Sequence, residues 1–188
     1  MTNRVVITGM GGISSIGMSV PEIYNSMKEG KSGIGMLEFP DVTRLKVKTG
    51  GQIKNFDPSK HFELKQVSRM DRFSQFALLA AKEAVTSSGL ENCMEDWSEN
   101  AGIILGSSIG GIETINDSYK QVFENGHNRL HPLTIPKIMN NSATSLISIE
   151  YNIQNIFLHE QIMSTRIDHN DIHRHLNNTS ILKQCNNL

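Results

Sequence analysis

Branched aliphatic runs and glycine-rich connections alternate along the first two thirds of the chain. Arg4–Thr8 and Ala101–Gly106 are short runs rich in Val, Ile and Leu, which is the pattern of a buried strand. Each run leads into a glycine-rich connection, 9–17 after the first and 106–111 after the second. A helical pattern follows each connection. Strands that alternate with helices predict an α/β layered domain.

The most regular helical pattern follows a predicted capping box, Ser68 and Asp71, and ends at Gly89. Ser68 and Asp71 have the spacing of a capping box, and glycine commonly follows the last residue of a helix. Between these signals, apolar residues recur at intervals of three and four: Phe73, Phe76, Ala77, Ala80, Ala81 and Ala84. This spacing predicts an amphipathic helix. Because most of the stripe is alanine, we expect the helix to pack closely against another backbone.

Three further helices are predicted. The first begins near Ser19, which is a good capping residue, and ends at Gly30. The second covers residues 112–124. Pro136 is suited to the first turn of the third, which we place at about residues 137–150. Between the first helix and the alanine-rich one, glycine and proline are frequent, and this composition predicts loops with one or two short strands.

The composition of the chain changes at Asn155. Residues 155–188 contain six Asn and four His and show no apolar period. We therefore expect one domain over residues 1–154, followed by a loop-rich or disordered tail over 155–188. His169 and His173 would share one face of a helix, a spacing that suits a metal ion, but no other feature supports an ordered site. We expect no metal ion.

The overall charge, hydropathy and cysteine content exclude several classes of function. The formal net charge of −1 gives no reason to expect nucleic-acid binding. No apolar run approaches the roughly 18 residues that span a membrane. Cys93 and Cys185 are the only cysteines, which is typical of the reducing cytoplasm. Cys93 has acidic neighbours in sequence, Glu91, Glu95 and Asp96, and nearby acids raise a thiol pKa. It is therefore a poor nucleophile.

The glycine-rich connections raise the alternative of nucleotide binding. A dinucleotide fingerprint needs a third glycine after Gly9 and Gly11, and Ser14 stands at that position. Gly30-Lys31-Ser32 is similar to the end of a P-loop, but Asn25 stands where the earlier glycine is required. Without a nucleotide, the glycines are explained by tight turns and by close packing of strands on helices. We expect no nucleotide and no other cofactor.

Positive charge is concentrated between Arg44 and Arg72. This stretch has eight Lys and Arg residues against three acidic ones, in a protein that is nearly neutral overall. Two interpretations are open. The stretch is solvated surface, or it is a docking patch that attracts an acidic partner and orients it.

Five segments of the chain carry a family resemblance. They are RVVITGMGGISSIG from Arg4, GKSGI from Gly30, RMDRFSQFA from Arg69, GSSIGGIET from Gly106, and a fifth made of Pro132, Pro136, Asn141 and ISIEY from Ile147. In this order and at this spacing they resemble the elongating β-ketoacyl-acyl carrier protein synthases, the condensing enzymes of type II fatty-acid synthesis. The resemblance covers about four-fifths of the chain.

The resemblance implies a fold, an assembly and a reaction. The fold is thiolase-like, with two similar α/β halves of which this chain has the N-terminal one, and the family works as homodimers. The reaction is a decarboxylating Claisen condensation, in which an acyl chain moves from acyl carrier protein to a cysteine and is attacked by decarboxylated malonyl-carrier protein. A thiolate holds the acyl chain, and two histidines of the C-terminal half assist decarboxylation and stabilise the oxyanion.

The resemblance also assigns roles to residues of this chain. Ile109 matches the isoleucine that gates the acyl pocket, and Leu133 matches an apolar wall position. Both are equally well interpreted as core or interface residues. Lys65 and Arg69 match the segment that docks the acidic carrier protein, whereas Arg72 is expected to belong to a buried motif with Asp71.

The catalytic residues of the family are not matched. The family continues after Tyr151 into a strand and a small-residue turn that bears the cysteine, and here Ser164 stands at that position in an unrelated context. We therefore expect a truncated or frameshifted copy after about Gln154 that is inactive alone. The alternative is a non-catalytic remnant that binds the carrier protein or dimerises.

Overall fold

The computed structural model describes residues 5–39, 42–154 and 157–161. Thr8–Gln161 forms one compact unit. Its helices are α1 (Val20–Lys28), α2 (Leu64–Val67), α3 (Arg72–Ser88), α4 (Met94–Trp97), α5 (Ile112–Tyr119), α6 (Thr134–Ile138) and α7 (Ser142–Tyr151). Its strands are β1 (Ile34–Met36), β2 (Thr49–Gly51), β3 (Ile103–Ser107) and β4 (Phe157–Gln161). Helices alternate with strands, as the sequence pattern predicts.

The strands form two small sheets. β1 and β2 pair antiparallel, with Ile34 opposite Gly51, and they confirm the short strands predicted before the alanine-rich helix. β3 confirms the second predicted strand, shifted towards its C-terminus. It pairs in parallel with β4, from Ile103 opposite Phe157 to Ser107 opposite Gln161.

The core lies where α3 packs against α7. Its buried apolar side chains come from both helices and from the segments beside them: Phe62, Met70, Leu78, Ile147, Tyr151 and Ile153. Burial raises the pKa of Tyr151 to about 12, with smaller contributions from nearby carboxylates, so its hydroxyl stays protonated at neutral pH. Trp97 extends this core beside Tyr151, and its indole N–H donates to the carbonyl of Leu90 at 2.9 Å.

Helix α3 confirms the predicted amphipathic helix, but its most buried residues are not those of the predicted alanine stripe. The predicted capping box is wrong, because Asp71 rather than Ser68 caps the N-terminus by accepting from the backbone N–H of Phe73, and the Ser68 hydroxyl instead donates to the carbonyl of Lys65 at the end of α2. Gly89 follows the C-terminus at φ +76°, a conformation that favours glycine. The fully buried residues are Ser74, Gln75 and Leu78, whereas the alanines are half-buried.

The alanine stripe contacts backbone, as its composition predicts. A Cβ added to Gly11 would overlap the carbonyl oxygen of Ala80, and one added to Gly9 would overlap that of Ala84. The first glycine-rich connection therefore lies directly on α3. Glu83 fixes this contact, because its carboxylate accepts from the backbone N–H of Gly12 at 2.9 Å and of Val20 at 2.8 Å.

The prediction of a buried strand over Arg4–Thr8 is wrong over its described residues. Val5–Thr8 has no strand assignment, and Val5 and Ile7 are 93% and 84% exposed. Extended backbone becomes a strand only when a neighbour satisfies its N–H and C=O groups. None of the four described strands pairs with these residues.

The helix predicted at 137–150 is divided in two. Pro136 lies inside α6, and Met139 is extended at ψ 137°, after which α7 begins at Ser142. The interruption follows from a tertiary contact. The backbone N–H of Gly111 donates to the carbonyl of Ile138 at 3.2 Å, so this carbonyl accepts a hydrogen bond from the second glycine-rich connection.

The helix predicted at 112–124 is confirmed: α5 continues into a π-helical turn, Lys120–Glu124.

The predicted loop-rich tail is wrong for five residues, because Phe157–Gln161 forms β4. Its sequence carries no strand alternation, and the free edge of β3 supplies the hydrogen bonds instead. Residues 155, 156 and 162–188 lie outside the described residues, and the division of the chain at 154 stays a prediction.

In the described segments the longest helix has 17 residues, and none is long and apolar enough to cross a membrane.

Candidate functional site

A buried carboxylate joins two of the family-like segments. Asp71 is only 4% exposed, and its Oδ2 accepts from Thr114 twice, from the backbone N–H at 2.8 Å and from the hydroxyl at 2.6 Å. Its Oδ1 accepts from Phe73 at the start of α3. One side chain therefore satisfies donors at the starts of α3 and α5, and hydrogen bonds to a charged acceptor are among the stronger ones.

Arg72 is held inside this junction. Its Nη2 donates to the carbonyl of Ile53 at 2.5 Å, and its guanidinium lies over the rings of Phe56 and Phe76 at 5.9 and 5.2 Å. Its Nη1 lies 3.6 Å from a carboxylate oxygen of Glu113. The Arg72 guanidinium is therefore engaged in contacts within the fold, in line with the buried motif to which the resemblance assigns Arg72.

Glu113 has a perturbed pKa at the edge of the junction. Burial raises its pKa above the ordinary value, the Arg72 guanidinium opposes this rise, and the carboxylates of Asp71 and Asp117 add to it. The folded state therefore favours the protonated carboxyl. Since the pKa is raised, the associated stability is present below the unfolded-state pKa and is lost as pH rises through the folded-state pKa.

Replacing Glu113 tests this direction. Glu113→Gln is expected to raise the urea midpoint of unfolding at pH 7 only slightly, because the side chain is 56% exposed and water screens most of the cost of its charge. At pH 3 the two proteins should unfold at the same midpoint, since both side chains are then neutral. Glu124→Gln, on an exposed carboxylate beyond α5, is the control. A lower midpoint for Glu113→Gln at pH 7 would mean that the Arg72 contact outweighs burial.

Ile109 lies on the surface of the second glycine-rich connection, with 57% of the residue exposed. Gly110 adopts φ +77°, and a Cβ there would meet the side chain of Asn140 and the carbonyl of Ile138. This close approach seats the connection on the break between α6 and α7. The Ile109 side chain is therefore held at a defined place with its apolar surface open.

Two of the four candidate residues line one open groove. Arg69 and Leu133, which are 64 positions apart in sequence, face a cavity of about 390 Å³. The remaining lining residues come from α6, α7 and the break between them: Pro136, Met139, Asn141, Ser142, Ser145, Leu146 and Ile149. Lys65 and Ile109 are outside this groove. The structure thus brings a docking candidate and a pocket candidate together.

Lys65 lies on the short helix α2 and is exposed, as is Arg69 just beyond the end of that helix. The two side chains are four positions apart, on a segment that belongs to the basic stretch Arg44–Arg72. This placement leaves both cations accessible to a partner.

No described residue supplies an activated nucleophile in the groove. Cys93 is half-buried, far along the chain from the groove residues, and its thiol donates to the carbonyl of Leu90 at 3.7 Å. The described ranges hold no group of three or more His, Cys, Asp or Glu that could bind a metal ion. Ser164, His169, His173 and Cys185 lie outside the described residues.

Some residues of the site carried no sequence signal. Thr114 bonds Asp71 across 43 positions, and a single threonine at the start of a helix predicts no such partner. Glu83 lies beside the alanine stripe, and the sequence did not predict that its carboxylate accepts from Gly12 and Val20. Leu146 and Ile149 have helical spacing, which predicts an apolar face without telling whether a groove or the core receives it.

The class of protein follows from a solved structure. The ishigamide ketosynthase/chain length factor is similar over 85% of this chain and 39% of its own, with a TM-score of 0.70 and 26% sequence identity. The described fold is therefore that of the thiolase-like ketosynthases, and the predicted α/β half is confirmed.

The chain belongs to the β-ketoacyl synthase family, whose N-terminal domain matches residues 2–156. The 3-oxoacyl-[acyl-carrier-protein] synthase 2 of Staphylococcus aureus (strain COL) is 37% identical over 147 residues, which are 78% of this chain and 35% of the relative. The enzyme of the same name from Coxiella burnetii is 32% identical over 151 residues, 80% of this chain and 36% of the relative. The chain thus spans about a third of the length of these relatives.

Proposed function

We propose that this chain forms the N-terminal half of a condensing-enzyme site of the 3-oxoacyl-[acyl-carrier-protein] synthase type. The reaction is a decarboxylating Claisen condensation of an acyl chain with malonyl-acyl carrier protein, in cytoplasmic fatty-acid synthesis. The Asp71 junction carries this proposal. It ties α3 to α5 and so positions the connection that bears Ile109, in the segments that resemble the family most.

The proposed roles divide between an acyl pocket and a docking surface. Ile109 gates the pocket, because its exposed apolar side chain projects from a connection held by close backbone packing. Leu133 forms part of the apolar wall of the groove that Arg69 also lines. Lys65 and Arg69 dock the carrier protein, whose acidic surface is attracted to exposed cations.

The 188-residue chain is proposed to lack condensing activity by itself. The reaction needs a thiolate to hold the acyl chain and donors to stabilise the developing oxyanion. Cys93 is bonded within its own turn and does not line the groove. Cys185 lies in the Asn-rich region, with no sequence context that activates a thiol.

A second candidate function is a non-catalytic protein that binds acyl carrier protein or dimerises. The exposed cations of the α2 segment favour carrier binding, since they need no catalytic residue to act. Exposed apolar residues such as Ile104 and Ile149 favour association with a second protein surface. The two candidates differ in whether turnover appears when the remainder of the family fold is supplied.

Carrier binding is expected to depend on Lys65 and Arg69 together. The double variant Lys65→Glu/Arg69→Glu should abolish binding of acyl carrier protein in a titration at low salt. Binding by the unaltered chain should weaken as ionic strength rises, because the Debye length is about 10 Å at 0.1 M. Lys46→Glu/Lys48→Glu makes the same charge change in the same basic stretch and should have a much smaller effect. Equal losses in the two double variants would show that only overall charge matters.

The gate assignment of Ile109 is tested in a chimera. Residues 1–154 are joined to all of the Staphylococcus aureus relative beyond the region they match, and condensation is measured with acyl chains of increasing length. Ile109→Phe should lower turnover of the longer chains several-fold more than that of the shorter ones, because a bulkier gate shortens the pocket. Ile104→Phe, on the exposed face of β3, is the control. An unchanged length preference would count against the gate.

A further inference from the structure

Asn125 and Gly126 form the one Asn–Gly dipeptide in the 188-residue sequence. They lie where the π-helical turn Lys120–Glu124 ends, and both residues are exposed. Asparagine is among the chemically labile residues, because the backbone nitrogen of the next residue can attack its side-chain carboxamide. The attack is least hindered when glycine follows, since glycine has no Cβ beside the attacking nitrogen. This pair is therefore a candidate site of covalent modification.

Neither reacting group is hydrogen-bonded within the described part of the chain. The backbone N–H of Asn125 donates to the carbonyl of Lys120 at 3.0 Å. The backbone N–H of His127 donates to the carbonyl of Gln121 at 2.9 Å. The Gly126 N–H between them has no acceptor among the described residues, and the Asn125 carboxamide has no partner among them. The attacking nitrogen and the carboxamide are thus both free to react.

Ring closure between these two groups requires the peptide that joins Asn125 to Gly126 to rotate. At ψ −5° the Gly126 nitrogen is not eclipsed with the Asn125 Cβ, as a five-membered ring requires. Rotation breaks one hydrogen bond, from His127 to Gln121, at a helix end, where such bonds open most readily. Gly126 permits the movement, because it has φ +70° and an added Cβ would meet nothing within 4 Å.

Two other asparagines that precede a small residue lack this freedom. Asn141 precedes Ser142, whose backbone N–H donates to the carbonyl of Met139 at 3.0 Å. Asn25 precedes Ser26, which is buried within α1. In both pairs the nitrogen that would attack belongs to ordered helical backbone, so these pairs are controls within the same chain.

We propose that Asn125 is a site of spontaneous deamidation through a succinimide formed with Gly126. The Gly126 nitrogen attacks the Asn125 Cγ and loses its proton, and the Cγ–Nδ2 bond breaks so that ammonia leaves with that proton. Water then opens the succinimide. Breaking the bond from nitrogen to Cγ gives aspartate, and breaking the bond from nitrogen to the main-chain carbonyl carbon gives isoaspartate. The inference is independent of the proposed condensing reaction, because it uses no residue of the groove or of the docking segment.

Deamidation changes both the charge and the backbone of this turn. Either product adds a negative charge at the C-terminal end of a helix, next to the carboxylate of Glu124. Negative charge is unfavourable there, because the helix dipole already places partial negative charge at that end. Isoaspartate also inserts one carbon into the main chain and so shifts the His127 N–H relative to the carbonyl of Gln121. Both changes loosen the end of the π-helical turn.

The test is incubation of the full chain in neutral buffer, with peptide mapping by mass spectrometry at intervals. Asn125 should gain the mass difference between an amide and an acid well before Asn141 and Asn25 do, and fragmentation should show isoaspartate together with aspartate. Gly126→Ala should slow the conversion about tenfold, which corresponds to roughly 1.4 kcal/mol in the barrier, because its methyl group crowds the attacking nitrogen. Gly35→Ala, where an added Cβ meets nothing within 4 Å, should leave the rate unchanged.

The same mapping in guanidinium chloride separates the effect of the fold from that of the dipeptide. Without the fold, the rates at Asn141 and Asn25 should move closer to the rate at Asn125. Retention of the Asn125 amide in the folded chain, over a period in which the denatured chain loses it, would overturn the proposal. So would aspartate without isoaspartate, which indicates direct hydrolysis, or equal rates for Gly126→Ala and the unaltered chain.

Discussion

Gly11→Ala is expected to destabilise the protein by about 3 kcal/mol, at the upper end of what an overpacked substitution costs. A Cβ at Gly11 would overlap the Ala80 carbonyl and lie 2.8 Å from the backbone nitrogen of Ala84. These are backbone atoms of α3, so no side-chain rotation relieves the overlap. The connection would have to move away from the helix and lose the hydrogen bonds that Glu83 accepts from Gly12 and Val20.

The measurement is the urea midpoint of unfolding, followed by circular dichroism. Gly35→Ala is the matched control, since an added Cβ at Gly35 meets nothing within 4 Å. That substitution should change the free energy of unfolding by no more than about 0.5 kcal/mol. If Gly11→Ala unfolds at the same midpoint as Gly35→Ala, the close packing of the first glycine-rich connection on α3 is wrong.

Helix α3 was predictable because its signals are local. Gly89 ends the helix through its own backbone conformation, and the start lies three residues after the predicted Ser68 cap because Asp71 accepts from the N–H two positions later. The alanine stripe predicted contact with another backbone, and the glycine-rich connection supplies it. The stripe did not predict that Ser74 and Gln75 are the more buried residues. Their burial depends on α7, which lies some seventy positions further along the chain.

Strand formation was harder to predict because it depends on a partner. Val5–Thr8 has the better strand composition and is not a strand, whereas Phe157–Gln161 has a poor one and forms β4. Composition measures how well side chains suit a pleated surface, but the backbone also needs a neighbouring strand. β4 has such a neighbour, because it pairs in parallel with β3. The division of helix 137–150 at Met139 has a similar origin, since Gly111 takes the carbonyl of Ile138.

The candidate site was predictable residue by residue, but its arrangement was not. The family resemblance pointed separately to Arg69 as a docking residue and to Leu133 as a pocket wall. Their shared groove is a product of how α6 and α7 pack beside the start of α3. A sequence states which side chains are present and, within a helix, which share a face. It does not state which residues from distant segments meet.

The second large effect concerns turnover. The 188-residue chain is expected to give no condensation product, whereas a chimera in which residues 1–154 are followed by all of the Staphylococcus aureus relative beyond the region they match should be active. The added segment supplies the cysteine, which the family carries shortly after the matched region, and the histidines, which the resemblance assigns to the C-terminal half. The difference is all-or-none, because covalent catalysis has no path without the nucleophile.

The most direct test is therefore one assay on two proteins. Condensation product is measured by mass spectrometry after incubation with acyl- and malonyl-acyl carrier protein, for the 188-residue chain and for the chimera at equal concentration. The account predicts product from the chimera alone. Product from the 188-residue chain that survives Cys93→Ala and Cys185→Ala, or a folded chimera that makes none, would contradict it.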